Sequence, residues 1–166
     1  MDTVTATHEL TLELLVRSQS GTGARDKQQA LIETLAELEE DGVIDEFVVR
    51  VCGSEVCMQM PPDHGPNGES VVSLVSQIQE WAADRGVSIE RVFREKTIRS
   101  SILEDERTVV RLPQLSLLVF EDESLEAVYP CHQGESFYSV GECVTTLRDR
   151  EQSPVSSNTT LPPAKY

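Results

Sequence analysis

The stretch 10-LTLELLVRSQSGTGARDKQQALIETLAELEEDGVIDEFVVRV-51 changes its hydrophobic period twice. Leu10, Leu12, Leu14 and Val16 alternate with Thr11, Glu13 and Arg17, which is the two-residue period of a strand. Leu15 adds an apolar side chain on the second face, as a central strand requires. Ser18 to Gly23 reads as a turn. From Ala24 to Asp41 the period becomes helical: Leu31, Leu35 and Leu38 share a stripe flanked by Ile32, and Glu37, Glu39 and Glu40 face solvent. Gly42 supplies a left-handed stop. Phe47, Val49 and Val51 then alternate as a second strand. Strand, helix and strand in this order predict two parallel strands with a right-handed crossover.

Downstream, residues 53–68 (GSEVCMQMPPDHGPNG) are rich in turn formers and predict an irregular connection. A second helix is expected from about Glu69, N-capped by Asn67, with Val71, Leu74, Val75, Ile78, Trp81 and Ala82 on its apolar stripe and Gly86 closing it. In residues 87–111, Ile89, Val92, Phe93 and Ile98 fit either a short helix or an edge strand. Leu115 to Phe120 is a strand, Glu121 to Ser124 a turn, and Leu125 to Tyr129 the return strand. Ser139-x-x-Glu142 is a capping box that opens a last helix carrying Val140, Cys143, Val144 and Leu147. The expected class is α/β: a β-α-β-α-β-β-α sandwich of two or three layers around a mixed central sheet of about four strands. One domain is expected over residues 9–150, with a flexible lead at 1–8 and a disordered Ser/Thr/Pro-rich tail at 151–166.

The 166 residues carry 29 acids and 14 basic residues, a formal net charge of -15. Such a charge makes a folded chain repel itself at low salt and opposes anionic partners unless basic groups cluster. Two origins fit it: adaptation to molar salt, or an acidic interaction protein. The acids are spread over nearly every segment, and only Lys27, Lys96 and Lys165 are lysines, which favours the first. The opening MDTVTATHEL has neither a basic nor an apolar signal region, and no apolar run is long enough to span a membrane, so a cytoplasmic protein without membrane contact is expected.

No complete catalytic or metal motif is present, so no cofactor is expected and the protein reads as a non-enzyme. Cys52-x4-Cys57 with Cys131-His132 and Cys143 is the best zinc candidate, but no second pair has matching spacing, and Cys52 and Cys131 would end strands at opposite sheet edges. Free thiols are the simpler reading. A nucleophile reading would pair Cys131 or Cys57 with His132 or His64, and it lacks a third group to orient the base. SQSGTGAR could offer N–H groups and Arg25 to an anion, yet it has no phosphate-loop Lys-Ser/Thr pair. Asn158-Thr159-Thr160 matches a glycosylation acceptor by chance.

One segment breaks the acidic pattern. Arg91, Arg94, Lys96, Arg99, Arg107 and Arg111 stand against only Glu95, Glu104, Asp105 and Glu106. This is either a contact surface for a protein or nucleic acid, or an edge strand guarded by charge. Phe93 is its only aromatic residue, which disfavours a base-stacking platform. The two clearest helices expose mainly acids, Gln and Ser, so nucleic-acid contact would fall on residues 91–111 or on a partner.

The element order resembles the thioredoxin fold, in which Pro113 would stand at the family's cis-proline before Leu115 to Phe120. That family carries Cys-x-x-Cys after the first strand; here SQSGTGAR holds no cysteine, so the resemblance implies the fold without its redox chemistry. A closer resemblance is to small acidic proteins of haloarchaea commonly labelled as containing a helix-turn-helix domain. It is carried by Val16-Arg17-Ser18, Gln28 to Glu39, Val51-Cys52-Gly53, Glu80-Trp81-Ala82, Gly86-Val87-Ser88 and Pro130-Cys131. It implies a regulatory, transcription-associated role, with self-association or a protein partner expected. The competing reading is a thiol or metal-binding protein using Cys52, Cys57, Cys131 and His132.

Overall fold

A computed structural model of the chain describes residues 9–17, 22–58, 71–102 and 104–152. The chain opens with β1 (Leu10–Arg17), α1 (Thr22–Glu40) and β2 (Glu46–Cys52). β1 and β2 pair in parallel, Leu12 beside Phe47 and Leu14 beside Val49. The crossover helix ends as Gly42 demands. Gly42 has a φ of 78°, its N–H donates to Glu39 O at 3.1 Å, and Val43 N–H reaches Leu38 O at 2.9 Å. Those two bonds close a Schellman motif and satisfy carbonyls the helix end leaves open.

β3 (Glu55–Cys57) follows, then α2 (Val71–Arg85), β4 (Arg94–Ser100), β5 (Asp105–Arg111), β6 (Leu115–Glu121), β7 (Ser124–Tyr129), β8 (Cys131–Gln133), β9 (Ser136–Tyr138) and α3 (Val140–Gln152). The central sheet is mixed and four-stranded, in the order β2-β1-β6-β7. β1 buries Leu12 and Leu14 on one face and Leu15 on the other. A strand apolar on both faces has to be covered on both. α1 and α3 pack on each other and against β2 and β6, while α2 packs against β7 and β3. Trp81 Nε1 donates to Glu126 O at 3.0 Å, and Arg85 meets Glu126 Oε2 at 3.0 Å, which ties α2 to the sheet's far edge.

The α/β sandwich, its mixed four-strand sheet and three helices agree with the sequence reading. The element order was too simple. β3 lies inside the stretch read as irregular; three residues are too few to display a period. The ambiguous 87–111 segment is neither a helix nor a lone strand. It is a turn through Glu90–Phe93 followed by the β4–β5 hairpin. A second small hairpin, β8–β9, fills the connection before α3. Ser139 caps α3 as expected, its Oγ accepting Glu142 N–H at 3.2 Å. Pro113 does not carry a cis bond; the one cis peptide among the described residues is Tyr129–Pro130. Asn67, His64, Ser18 to Gly21, residues 1–8 and the tail beyond Gln152 lie outside the described residues.

Candidate nucleic-acid interface

β3, β5 and β4 form a second sheet in that order. Its register sorts the basic segment by parity. Arg94 stands opposite Arg111, Lys96 opposite Val109, Ile98 opposite Arg107 and Arg99 opposite Glu106, while Glu55 and Cys57 of β3 flank Arg111 and Val109. Side chains two residues apart share a face. One face therefore carries Arg94, Lys96, Ile98, Arg107, Val109 and Arg111, with Cys57 and Glu55 beside them. The opposite face carries Val56 and Val110, both buried in the core, and farther out Glu95, Thr97, Arg99 and Glu106.

Four of the six basic residues singled out by the sequence thus share one surface. Arg94, Lys96, Arg107 and Arg111 are all exposed there, and Ile98 is 43% exposed among them. Arg99 points to the other face, where its Nε meets Glu106 Oε1 at 3.0 Å. Arg91 lies in the preceding turn, and with Arg94, Glu90 and Glu95 it lines a shallow open hollow. Arg94 and Arg111 are directly opposed like charges, an arrangement that destabilises a ladder by a few tenths of a kcal/mol and upward. The basic segment is also an edge: among the described residues β4 has β5 on one side and no strand on the other. Of the two alternatives posed for it, the charge-guarded edge is present among the described residues; the contact surface belongs to the function proposed below.

The helices offer no comparable surface. α1 exposes Asp26, Glu33, Glu37, Glu39 and Glu40 against Arg25 and Lys27, α2 exposes Glu80 and Asp84, and Arg148 of α3 is engaged by Glu37 at 3.7 Å. Among the described residues no two helices follow one another across a short turn. β2 and β3 intervene between α1 and α2, and six strands lie between α2 and α3.

The thiols do not gather. Cys52 ends β2 and Cys131 starts the chain beyond β7, at opposite edges of the central sheet. Cys52, Cys131 and Cys143 are buried and Cys57 is half-buried. Burial raises the Cys52 thiol, with Arg50 opposing and Glu13 adding to the shift. Burial, and then the charge of Glu142, pushes Cys131 up to about 12. His132 stacks obliquely on Phe137, ring centres 4.8 Å apart. Among the described residues no three His, Cys, Asp or Glu side chains are grouped to hold a metal ion. A hollow of about 510 Å³ between the end of α2 and residues 86–95 is lined by Ala82, Val87, Ile89 and Phe93 together with Glu90 and Glu95.

An α/β sandwich with an appended sheet that is basic on one face is the class these features define. The chain matches the family described as helix-turn-helix domain over residues 4–152, and it belongs to that family. No curated protein and no solved structure matches it. No described helix is long and apolar enough to cross a membrane. The parity sorting was the feature that sequence reasoning missed. The six basic residues were found, but their alternation could be read only once 94–111 was known to be a hairpin.

Proposed function

We propose that this protein is a non-enzymatic regulatory protein of a high-salt cytoplasm that contacts double-stranded nucleic acid through the basic face of β3–β5–β4, not through a recognition helix. The observation that carries the reading is the shared exposed face of Arg94, Lys96, Arg107 and Arg111 in a chain of net charge -15. A two-stranded ribbon fits a major groove about 12 Å wide, and arginine and lysine on it bind phosphates or guanine edges. The family's description is compatible with a regulatory role. The exposed faces of α1 and α2, on which acids outnumber Arg25 and Lys27, argue for the sheet as the contact. The burial of Cys52, Cys131 and Cys143 argues against thiol chemistry as the main activity, because only an accessible thiolate is a nucleophile or ligand.

The test is fluorescence anisotropy with labelled duplex DNA across a KCl series. Wild type binds with an affinity that falls as salt rises, by about 0.9 in log–log slope for each phosphate contacted. The combined variant Arg94→Glu, Lys96→Glu, Arg107→Glu loses binding. Arg99→Gln, on the other face, keeps it. Equal loss in both variants, or no duplex binding by wild type at ~0.1 M KCl, overturns the reading.

A further inference from the structure

We infer that two copies of this chain associate by pairing their β2 strands antiparallel about Val49, which joins the two central sheets into one. This inference stands apart from the nucleic-acid reading. It starts from how the chain treats its sheet edges. β4 is guarded by Arg94, Glu95, Lys96 and Arg99. β7 is bulged against β6 near Val119 and Phe120. Charges and bulges of this kind deter edge-to-edge pairing. β2, the other edge of the central sheet among the described residues, reads EFVVRVC: its ladder with β1 carries no bulge, and its two charges, Glu46 and Arg50, lie on the face opposite Val49 and Val51. Val51 is 70% exposed and Val49 37%.

The register fixes which backbone groups of β2 face outward. Arg17 N–H donates to Gln114 O at 3.0 Å, so the odd residues of β1 turn to β6 and the even ones to β2. With Leu12 beside Phe47 in the parallel ladder, Glu46, Val48 and Arg50 then bond β1. Phe47, Val49 and Val51 direct N–H and C=O to the open edge. Phe47 N–H accordingly donates to the Glu39 carboxylate at 3.3 Å. The N–H groups of Val49 and Val51 have no acceptor among the described residues.

A twofold axis at Val49 completes this edge with itself. Val49 exchanges two hydrogen bonds with the partner's Val49, and Val51 N–H reaches the carbonyl of the partner's Phe47 in both directions. That makes four bonds without displacing Glu39. Phe47, Val49 and Val51 lie on the face that carries Leu12, Leu14 and Val16, so the pairing extends an existing apolar face. On the other face each Arg50 lies diagonal to the partner's Glu46, an attractive cross-strand contact. The two Arg50 side chains also approach each other, and each is held by its own Glu13 at 3.5 Å. Such a contact is isologous, the commonest form of a symmetric dimer. Because each copy carries -15, screening by salt is required before they meet.

Sedimentation velocity over a KCl series tests the dimer. We expect a monomer at ~0.05 M and a dimer at ~2 M, where charges are screened within about 3 Å. Val51→Pro removes an outward N–H and leaves the β1–β2 bonds intact, so it stays folded and monomeric at every salt concentration. Mild oxidation in a Cys57→Ser background checks the register. Val49→Cys cross-links, because hydrogen-bonded partners stand about 5.5 Å apart at Cα. Val51→Cys does not, because its two copies lie four residues apart along the ladder, roughly 14 Å. A monomer at all salts, a dimer indifferent to Val51→Pro, or equal cross-linking of the two cysteine variants overturns the inference. Duplex binding unchanged in Val51→Pro would leave the nucleic-acid reading standing on its own.

Discussion

Cys131 shows how one residue's burial becomes a property of the whole fold. Its side chain is fully buried, and its thiol is pushed up to about 12 from an ordinary 9.0, mainly by burial and secondly by Glu142. In the unfolded chain the thiol ionises as pH passes 9, while in the folded chain it stays protonated. Folding is therefore weakened as pH rises: the contribution is whole below pH 9 and is lost progressively between about 9 and about 12. One pH unit inside that window is worth about 1.4 kcal/mol. Urea unfolding at pH 8 and pH 10 should give a lower midpoint at pH 10, and Cys131→Ala should reduce the difference, with the raised Cys52 thiol supplying the remainder, although it leaves a small cavity. A thiol titration of the native protein should label Cys57 first. Cys52, Cys131 and Cys143 should react only after denaturation. Trp81 makes a second prediction. Trp81→Phe keeps much of the apolar contact but leaves Glu126 O without its donor, so a loss of about 1–3 kcal/mol in urea unfolding is expected.

At the scale of elements, the hairpins separate what the sequence could carry from what it could not. β1, α1 and β2 were legible because each is long enough to repeat its period and because Gly42 marks the stop. The β6–β7 hairpin was legible from two apolar runs around Asp122 and Glu123. The structure adds that both residues have positive φ, 52° and 70°, as a two-residue type I′ turn requires. Asp122 suits this conformation and also holds Glu9 through its side chain at 3.0 Å. Glu123 does not suit it, so Glu123→Gly should be neutral to stabilising, by up to about 1 kcal/mol after its greater unfolded-state entropy is offset. β4 and β5 were not legible because their distal halves are exposed on both faces, so no apolar alternation marks them. The candidate site was half legible for the same reason: composition found its residues, but only pairing assigned their faces. The opposition of Arg94 to Arg111 supplies a check that separates function from folding. At 0.15 M salt the screening length is about 8 Å, longer than a cross-strand contact of about 5 Å and shorter than the molecule. Local pairing should then outweigh the added global charge. Arg94→Glu should raise stability by about 0.2–1 kcal/mol while it weakens duplex binding. A variant that lost both would point to a structural role for Arg94.

For the whole molecule the governing quantity is net charge. With 29 acids against 14 basic residues, the folded chain concentrates repulsion that the expanded chain relieves. Added salt screens that repulsion, over about 10 Å at 0.1 M and about 3 Å at 1 M, so most of its effect falls below 1 M. The melting temperature should rise by several degrees between ~0.05 and ~1 M KCl and flatten beyond, in contrast to sulfate, which keeps strengthening apolar burial by exclusion from the surface. The duplex binding proposed above would run the opposite way, because salt removes the gain from counterion release. Under the proposed function, contact with duplex DNA in molar salt would rely on groove contacts more than on phosphates, and Ile98 amid the four basic side chains would suit that demand. The charge-reversed variant at Arg94, Lys96 and Arg107 makes the link measurable. Each reversal adds two negative charges, so its melting temperature should depend on KCl more steeply than that of wild type below ~0.5 M and converge with it at ~2 M. Parallel salt curves for the two proteins would mean that the basic face does not moderate the molecule's self-repulsion. In that case these three residues would have no part in the molecule's charge balance, and contact would be the role left to them.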